Sequence, residues 1–175
     1  LERDFFDDID MICFPGGLGD SDNFDFLTRE HRSNIRKFVR NGGAYLGICM
    51  GAYWAGSEYF NLLDEVDAVQ YITRPKTDTR RPHPKNISIT WQDTPTNMYF
   101  YDGCALVGNE SKFTTIARYA NGDPMAIIQN RIGLIGCHPE SELHWYDFPS
   151  WMRGKHHQGQ HHKLLLEFVS KLLIK

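Results

Sequence analysis

The apolar positions of this chain fall into short runs and small clusters rather than long stripes. Residues 44–48 (Ala-Tyr-Leu-Gly-Ile) form one run, bounded by Gly42-Gly43 on one side and Gly51 on the other. A run this short, apolar throughout, predicts a strand buried on both faces of a parallel sheet. Residues 8–15 (Asp-Ile-Asp-Met-Ile-Cys-Phe-Pro) predict a second such strand, closed by Pro15-Gly16-Gly17. Between the two, Ile35, Phe38 and Val39 recur at helical spacing, so 29–40 predicts an amphipathic helix. Thr28 suits its N-cap and Asn41-Gly42-Gly43 its stop. Residues 18–26 read as a polar loop. Strand, helix and strand in this order predict a right-handed βαβ unit. Residues 50–55 open a helix straight after the second strand, and 57–63 are expected to continue or cap it.

Beyond residue 86 the runs shorten again. Residues 87–91, 98–101, 105–107, 113–119, 125–129 and 132–137 predict strands. Asn121-Gly122 is a turn signal and Asn130-Arg131 a hairpin tip. Residues 160–173 predict a closing helix, apolar at Leu164, Leu165, Phe168, Val169 and Leu172. Residues 74–85 hold three prolines and five basic residues and predict a loop, more often a solvated surface than an anion site. The fold class expected is α/β: a doubly wound, mostly parallel sheet flanked by helices, flavodoxin-like. Residues 1–175 read as a single domain. Only eight residues precede the first strand at Ile9, so a βα unit is expected to be missing, or the sheet edge truncated.

Composition narrows the function classes. Hydrophobic residues make up 41% and charged residues 23% of the 175, as in ordinary globular domains. A net charge of −3 gives no footprint for nucleic acid or a membrane surface. No apolar run approaches the ~20 residues of a membrane span. Cys13, Cys49, Cys104 and Cys137 lack the C-x-x-C spacing of zinc ribbons or thioredoxin-type sites, and a reducing, cytoplasmic setting is expected.

The chemistry concentrates at two places. Cys49 stands where the buried strand turns into a helix, with Gly47 and Gly51 on either side. This G-x-C-x-G is the cysteine form of a nucleophile elbow, a turn too tight for flanking side chains. The following helix aims its N-terminus at the sulfur, a setting that suits a nucleophilic thiol. The second place is Gly136-Cys137-His138-Pro139-Glu140, after the last apolar strand. Pro139 holds His138 extended, and residues i and i+2 of an extended chain project the same way, so Glu140 can orient the imidazole. Either motif alone is weak. Both at strand carboxyl ends, with Pro-Gly-Gly upstream, form a strong signal.

Gly47-Ile48-Cys49-Met50-Gly51 with His138-Pro139-Glu140 resembles the class I glutamine amidotransferase-like superfamily. Phe14-Pro15-Gly16-Gly17, residues 35–39 and residues 43–55 are most similar to one branch, the N-terminal domain of biotin–protein ligases and its stand-alone relatives. Tyr99-Phe100-Tyr101-Asp102-Gly103 resembles that branch's Tyr-Tyr-Asn-Gly-Gly, with Asp102 and Cys104 as departures. The resemblance implies Cys49 as nucleophile, His138 as base and Glu140 as orienting acid. It implies an oxyanion hole from backbone N–H groups of Met50 and of Gly16 or Gly17, and a substrate pocket beside Tyr99, Tyr101 and Cys104. A small-molecule or γ-glutamyl-like substrate would follow, with no cofactor and no metal. No Gly-Arg-Gly-Arg segment of a biotin-adenylating domain is present, so the chain alone is not expected to be a biotin ligase.

Two functional classes stay open: a cysteine hydrolase acting on an amide, and a non-enzymatic regulatory or binding domain, with a protein partner, that keeps the same site. A metal role for His156, His157, His161 and His162 is the weaker third, a polar loop being the plainer reading. Cys104 could approach Cys49 and form a reversible disulfide, against the plainer reading of a packed, unpaired thiol.

Overall fold

All five residues of Ala44–Ile48 are buried, and the rest of the fold is arranged on the two faces they present. The computed structural model describes Phe6, residues 8–17, Phe26 and residues 29–174. In chain order these form β1 (Met11–Phe14), a 3-10 turn (Arg29–His31) running into α1 (Arg32–Arg40), β2 (Ala44–Ile48) and α2 (Met50–Trp54). β3 (Val66–Gln70), β4 (Lys85–Trp91), β5 (Thr94–Phe100), β6 (Cys104–Gly108), β7 (Thr114–Tyr119), β8 (Pro124–Gln129) and β9 (Ile132–Ile135) follow, and α3 (Gln160–Leu173) closes the chain. The expected N-cap Thr28 and most of the expected loop, residues 18–25, lie outside the described residues.

The main sheet has the order β1-β2-β9-β8-β7-β4-β5, and β3 and β6 pair separately. β1, β2 and β9 run parallel, and antiparallel strands extend the sheet from β8 outward. β2 separates two cores because successive side chains leave opposite faces. Ala44, Leu46 and Ile48 join the core that holds Phe168 and Leu172 of α3. Tyr45 joins the other, with Ile35 and Phe38 of α1 and Trp54 of α2. Helices therefore cover both faces, as the α/β expectation required. Full burial of a side chain such as Phe168 or Leu172 stabilises by about 1.5–3 kcal/mol.

Three local expectations need correction. Residues 57–63 do not continue α2: the chain turns back, with Phe60 N donating to the Trp54 carbonyl (2.9 Å) and Leu62 N to that of Ala55 (3.0 Å). The turn buries Phe60 against Phe14, Tyr45 and Trp54, and that aromatic cluster outweighs a few more helical bonds. The expected strands 87–91 and 98–101 are one hairpin in which β4 starts two residues earlier and β5 starts already at Thr94, the two joined by Gln92-Asp93, both at positive φ. Such a two-residue turn matches strand twist, but Gln-Asp is not its usual sequence. Pro95 fits because β5 is the sheet edge. β3 was not expected at all: Val-Asp-Ala-Val-Gln becomes a strand by pairing with β6. In the basic loop, Arg74 binds Asp123 at 2.8 Å and so fastens the loop to the β7–β8 turn. No helix among the described residues is long and apolar enough to cross a membrane.

The four histidines near residue 160 build the start of α3. His157 Nδ1 accepts from the N–H groups of Gly159 (3.1 Å) and His161 (3.2 Å), and its Nε2–H donates to the Ser141 carbonyl at 2.9 Å. Both nitrogens are occupied, so this ring has no lone pair to offer a metal. Instead it ties the helix end to the loop after His138.

His157→Ala should therefore lower the melting temperature, the loss of a helix cap costing about 1 kcal/mol of stability. Burial holds the pKa of His157 below the usual imidazole value, and that of His161 down to about 4. A lowered folded-state pKa means the unfolded chain takes up protons first. Stability is thus full above about pH 6.5 and falls as pH drops toward 4. Thermal melts between these limits should follow that slope, and His161→Gln should flatten it.

Candidate active site

β2 delivers Cys49 to the site in a conformation its side chain does not favour. At φ 49° and ψ −104° it is a non-glycine residue at positive φ. The backbone on either side holds it there. Cys49 N–H donates to the Ile135 carbonyl of β9 (2.8 Å), and the Cys49 carbonyl accepts from Ala52 and Tyr53 (2.9 and 3.1 Å). The flanking glycines are required by close approach. A Cβ on Gly47 would strike the Gly51 carbonyl, and a Cβ on Gly51 the Phe14 carbonyl of β1.

β9 delivers the second group. His138 N–H donates to the Tyr99 carbonyl (2.9 Å), and its Nδ1 lies 2.8 Å from Glu140 Oε1, the i, i+2 pairing that Pro139 suggested. Nε2 is the nitrogen left for the sulfur, and the Cys49 side chain acts on the imidazole through its charge. Gly16 closes the third side: a Cβ there would overlap His138 Cε1 and sit 3.3 Å from Cys49 Cβ. Cys49 is 5% exposed and His138 4%. Burial pulls the His138 pKa down, but Cys49 and then Glu140 pull it up further, to about 10.

Residues 99–104 cross over these two groups as a belt of carbonyls. Tyr99 O takes His138 N–H, Tyr101 O takes the Cys49 thiol (3.5 Å) and Asp102 O takes Tyr53 OH (3.1 Å). Gly103 O takes Tyr71 N–H (3.1 Å) and Cys104 O takes Tyr119 OH (2.7 Å). Gln70 Nε2 donates to both Asp102 carboxylate oxygens, at 2.8 and 2.9 Å. Sequence reasoning pointed to the belt through Tyr99 and Tyr101 but missed Tyr53, Gln70, Tyr71 and Tyr119. Nothing local marks them, since each donates to a residue at least 15 positions away in the chain.

A cleft of about 450 Å³ opens beside the site. Gly16, Gly17, Tyr99, Tyr101 and His138 line it, together with Trp145, which the sequence did not single out, and His144 and Phe148. Cys104 is not among the lining residues. It is fully buried at the start of β6, and burial pushes its thiol pKa well above the usual value. All four cysteines are free. Met50 begins α2 directly after Cys49, and its side chain packs where a Gly17 Cβ would lie, at 3.2 Å. A larger hollow, about 790 Å³, lies at the opposite ends of the strands, beside Asp10, Gly43 and Arg131, away from these groups.

Two outcomes test this geometry. Gly16→Ala should push the His138 ring off its position and slow alkylation of Cys49 while leaving the fold intact. The His138 imidazole, followed by NMR, should keep its proton through neutral pH and lose it near pH 10. Its folded pKa lies above the ordinary 6.5, so the stability it contributes is full below 6.5 and lost as pH rises toward 10. Cys49→Ala should lower that midpoint.

Residues 4–69 match the family model described as the N-terminal domain of biotin-protein ligase. An uncharacterised protein of Chlamydia muridarum is 29% identical over 144 residues, which are 70% of this chain, and the chain spans 55% of that protein's length. Among solved structures, a glutamine amidotransferase from Thermotoga maritima superposes with a TM-score of 0.70 at 10% identity, covering 100% of this chain and 82% of that one. PurLQS from the same organism gives 0.63 at 14% identity over 96% and 82%. A further glutamine amidotransferase gives 0.59 at 19% identity over 75% and 71%. The chain therefore has the class I glutamine amidotransferase-like fold and, over residues 4–69, resembles the N-terminal domain family of biotin-protein ligases.

Proposed function

We propose that this chain is a cysteine-dependent amide hydrolase, with Cys49 as nucleophile, His138 as proton carrier and Glu140 as the acid that orients it. One observation carries the reading: the Cys49 side chain is coupled by charge to His138, whose Nδ1 lies 2.8 Å from Glu140 Oε1, beside an open cleft. With its raised pKa, His138 holds the proton at neutral pH while Cys49 acts as the thiolate. The sulfur then attacks the amide carbonyl carbon. Collapse of the tetrahedral intermediate breaks the C–N bond, and His138 gives its proton to the departing amine, leaving a thioester. A water molecule, deprotonated by His138, attacks the thioester, and the sulfur leaves with the proton returned by His138. Backbone N–H groups of Met50 and of Gly16 or Gly17 would hold the developing oxyanion.

A second reading is a binding or regulatory domain that retains the site. The 5% and 4% exposure of Cys49 and His138 favours it, because a substrate must reach a sulfur that is nearly covered.

Limiting iodoacetamide near neutral pH, with the adduct located by mass spectrometry, separates the possibilities. Cys49 should label first. Cys104 and Cys137 are sealed, and burial raises both thiols well above the usual range. First labelling at Cys13 or Cys137 would sink the nucleophile assignment. Given a substrate, His138→Ala should reduce hydrolysis as deeply as Cys49→Ala, by roughly 10²–10⁴-fold, and Glu140→Gln by less. Labelling of Cys49 without turnover of any amide would leave the binding domain as the better reading.

A further inference from the structure

The walls of the cleft say something about what enters it. Tyr99, His138 and Trp145 form a triangle of edge-to-face rings, with centroids 5.3, 5.4 and 5.7 Å apart. Tyr101 and Phe148 extend the same surface. Among the described lining residues no carboxylate, lysine or arginine is present. A free α-amino acid carries an ammonium beside its carboxylate, and burying that ammonium against rings with no carboxylate to match it is costly. An aromatic or apolar group meets no such cost and gains ring contacts.

The cleft also has a continuation. Phe148 lines both it and a neighbouring hollow of about 410 Å³, walled by His83, Pro84, Trp151 and Arg153. Phe148 is 82% exposed and Trp151 54%, so two large rings face solvent at this rim. Trp151 is nevertheless fixed, its Nε1–H donating to the Pro84 carbonyl at 3.1 Å and its ring meeting His83 edge-on. Arg153 Nε donates to the Asp147 carbonyl at 3.2 Å, which anchors an exposed guanidinium on the wall of this hollow. A fixed indole and an anchored cation on the walls of one hollow suit an extended ligand, apolar in its body and anionic at one end.

Resting on the amide-hydrolase reading, we infer that the substrate is an amide whose body carries an aromatic ring, seated over Phe148 and Trp151, and whose end carries a carboxylate, held by Arg153. Free glutamine is then a poor substrate. A peptide-like amide with an aromatic residue at its carboxyl end has the right chemistry.

Three electrophiles of one reactive type test this: 2-chloroacetamide, N-phenethyl-2-chloroacetamide and N-chloroacetyl-L-phenylalanine. The rate of Cys49 alkylation is measured for each and divided by the rate of the same reagent with glutathione. The ring should accelerate labelling by about tenfold, the equivalent of one good aromatic contact. The carboxylate should add a further gain. Phe148→Ala and Trp151→Ala should each remove most of the ring's gain, and Arg153→Gln only the gain from the carboxylate. Equal normalised rates for all three reagents would overturn the extended cleft while leaving Cys49 as nucleophile. Failure of every reagent, chloroacetamide included, to label Cys49 ahead of the other thiols would sink the nucleophile assignment, and the inference with it.

Discussion

Everything at this site depends on one close approach, that of the β2–α2 turn to the end of β1. The Cys49 backbone sits in a sparsely populated region, a strain of order 1–3 kcal/mol. It persists because two carbonyls stand where side chains would otherwise be, that of Gly51 against Gly47 and that of Phe14 against Gly51. The bond from Cys49 N–H to β9 and the two bonds to its carbonyl fix the turn from both sides. The result is a cysteine side chain lifted off the sheet edge, while β1 and β9 bring Gly16 and His138 up to it. The three parallel strands thus converge on a single sulfur, and this is the part of the sheet where their parallel direction matters.

The antiparallel strands have a different task. β5 and β6 supply the two ends of residues 99–104, and that segment offers five carbonyls in turn to His138, Cys49, Tyr53, Tyr71 and Tyr119. A segment bound this way cannot move without loosening both the thiol and the imidazole. The α3 end of the chain adds a second tie through His157 and Ser141, and the Ser141 hydroxyl in turn meets Tyr146 OH at 2.9 Å. Tyr146 packs on Tyr99, so the cleft wall and the closing helix belong to one connected network.

The sequence by itself determined the parts that are encoded within a few residues. The G-x-C-x-G spacing announced the elbow because a tight turn needs glycine at both flanks, whatever surrounds it. His138-Pro139-Glu140 announced the imidazole–carboxylate pair because proline restricts the backbone just before it. The bounds of β2 and α3 were legible because each has an unbroken apolar pattern with clear punctuation at its ends.

Tertiary structure alone decided the remainder. β3 is a strand only because β6 lies beside it, and residues 57–63 turn only because Phe60 finds an aromatic pocket made by Phe14, Tyr45 and Trp54. Cys104 looked like a neighbour of the cleft from its place after Tyr101-Asp102-Gly103, yet the pairing of β6 turns it into the interior. Tyr53, Gln70 and Trp145 carry no local mark of their roles. Each acts through a contact with chain far away in sequence, and which distant residues meet depends on how the whole chain packs, something no short spacing can encode.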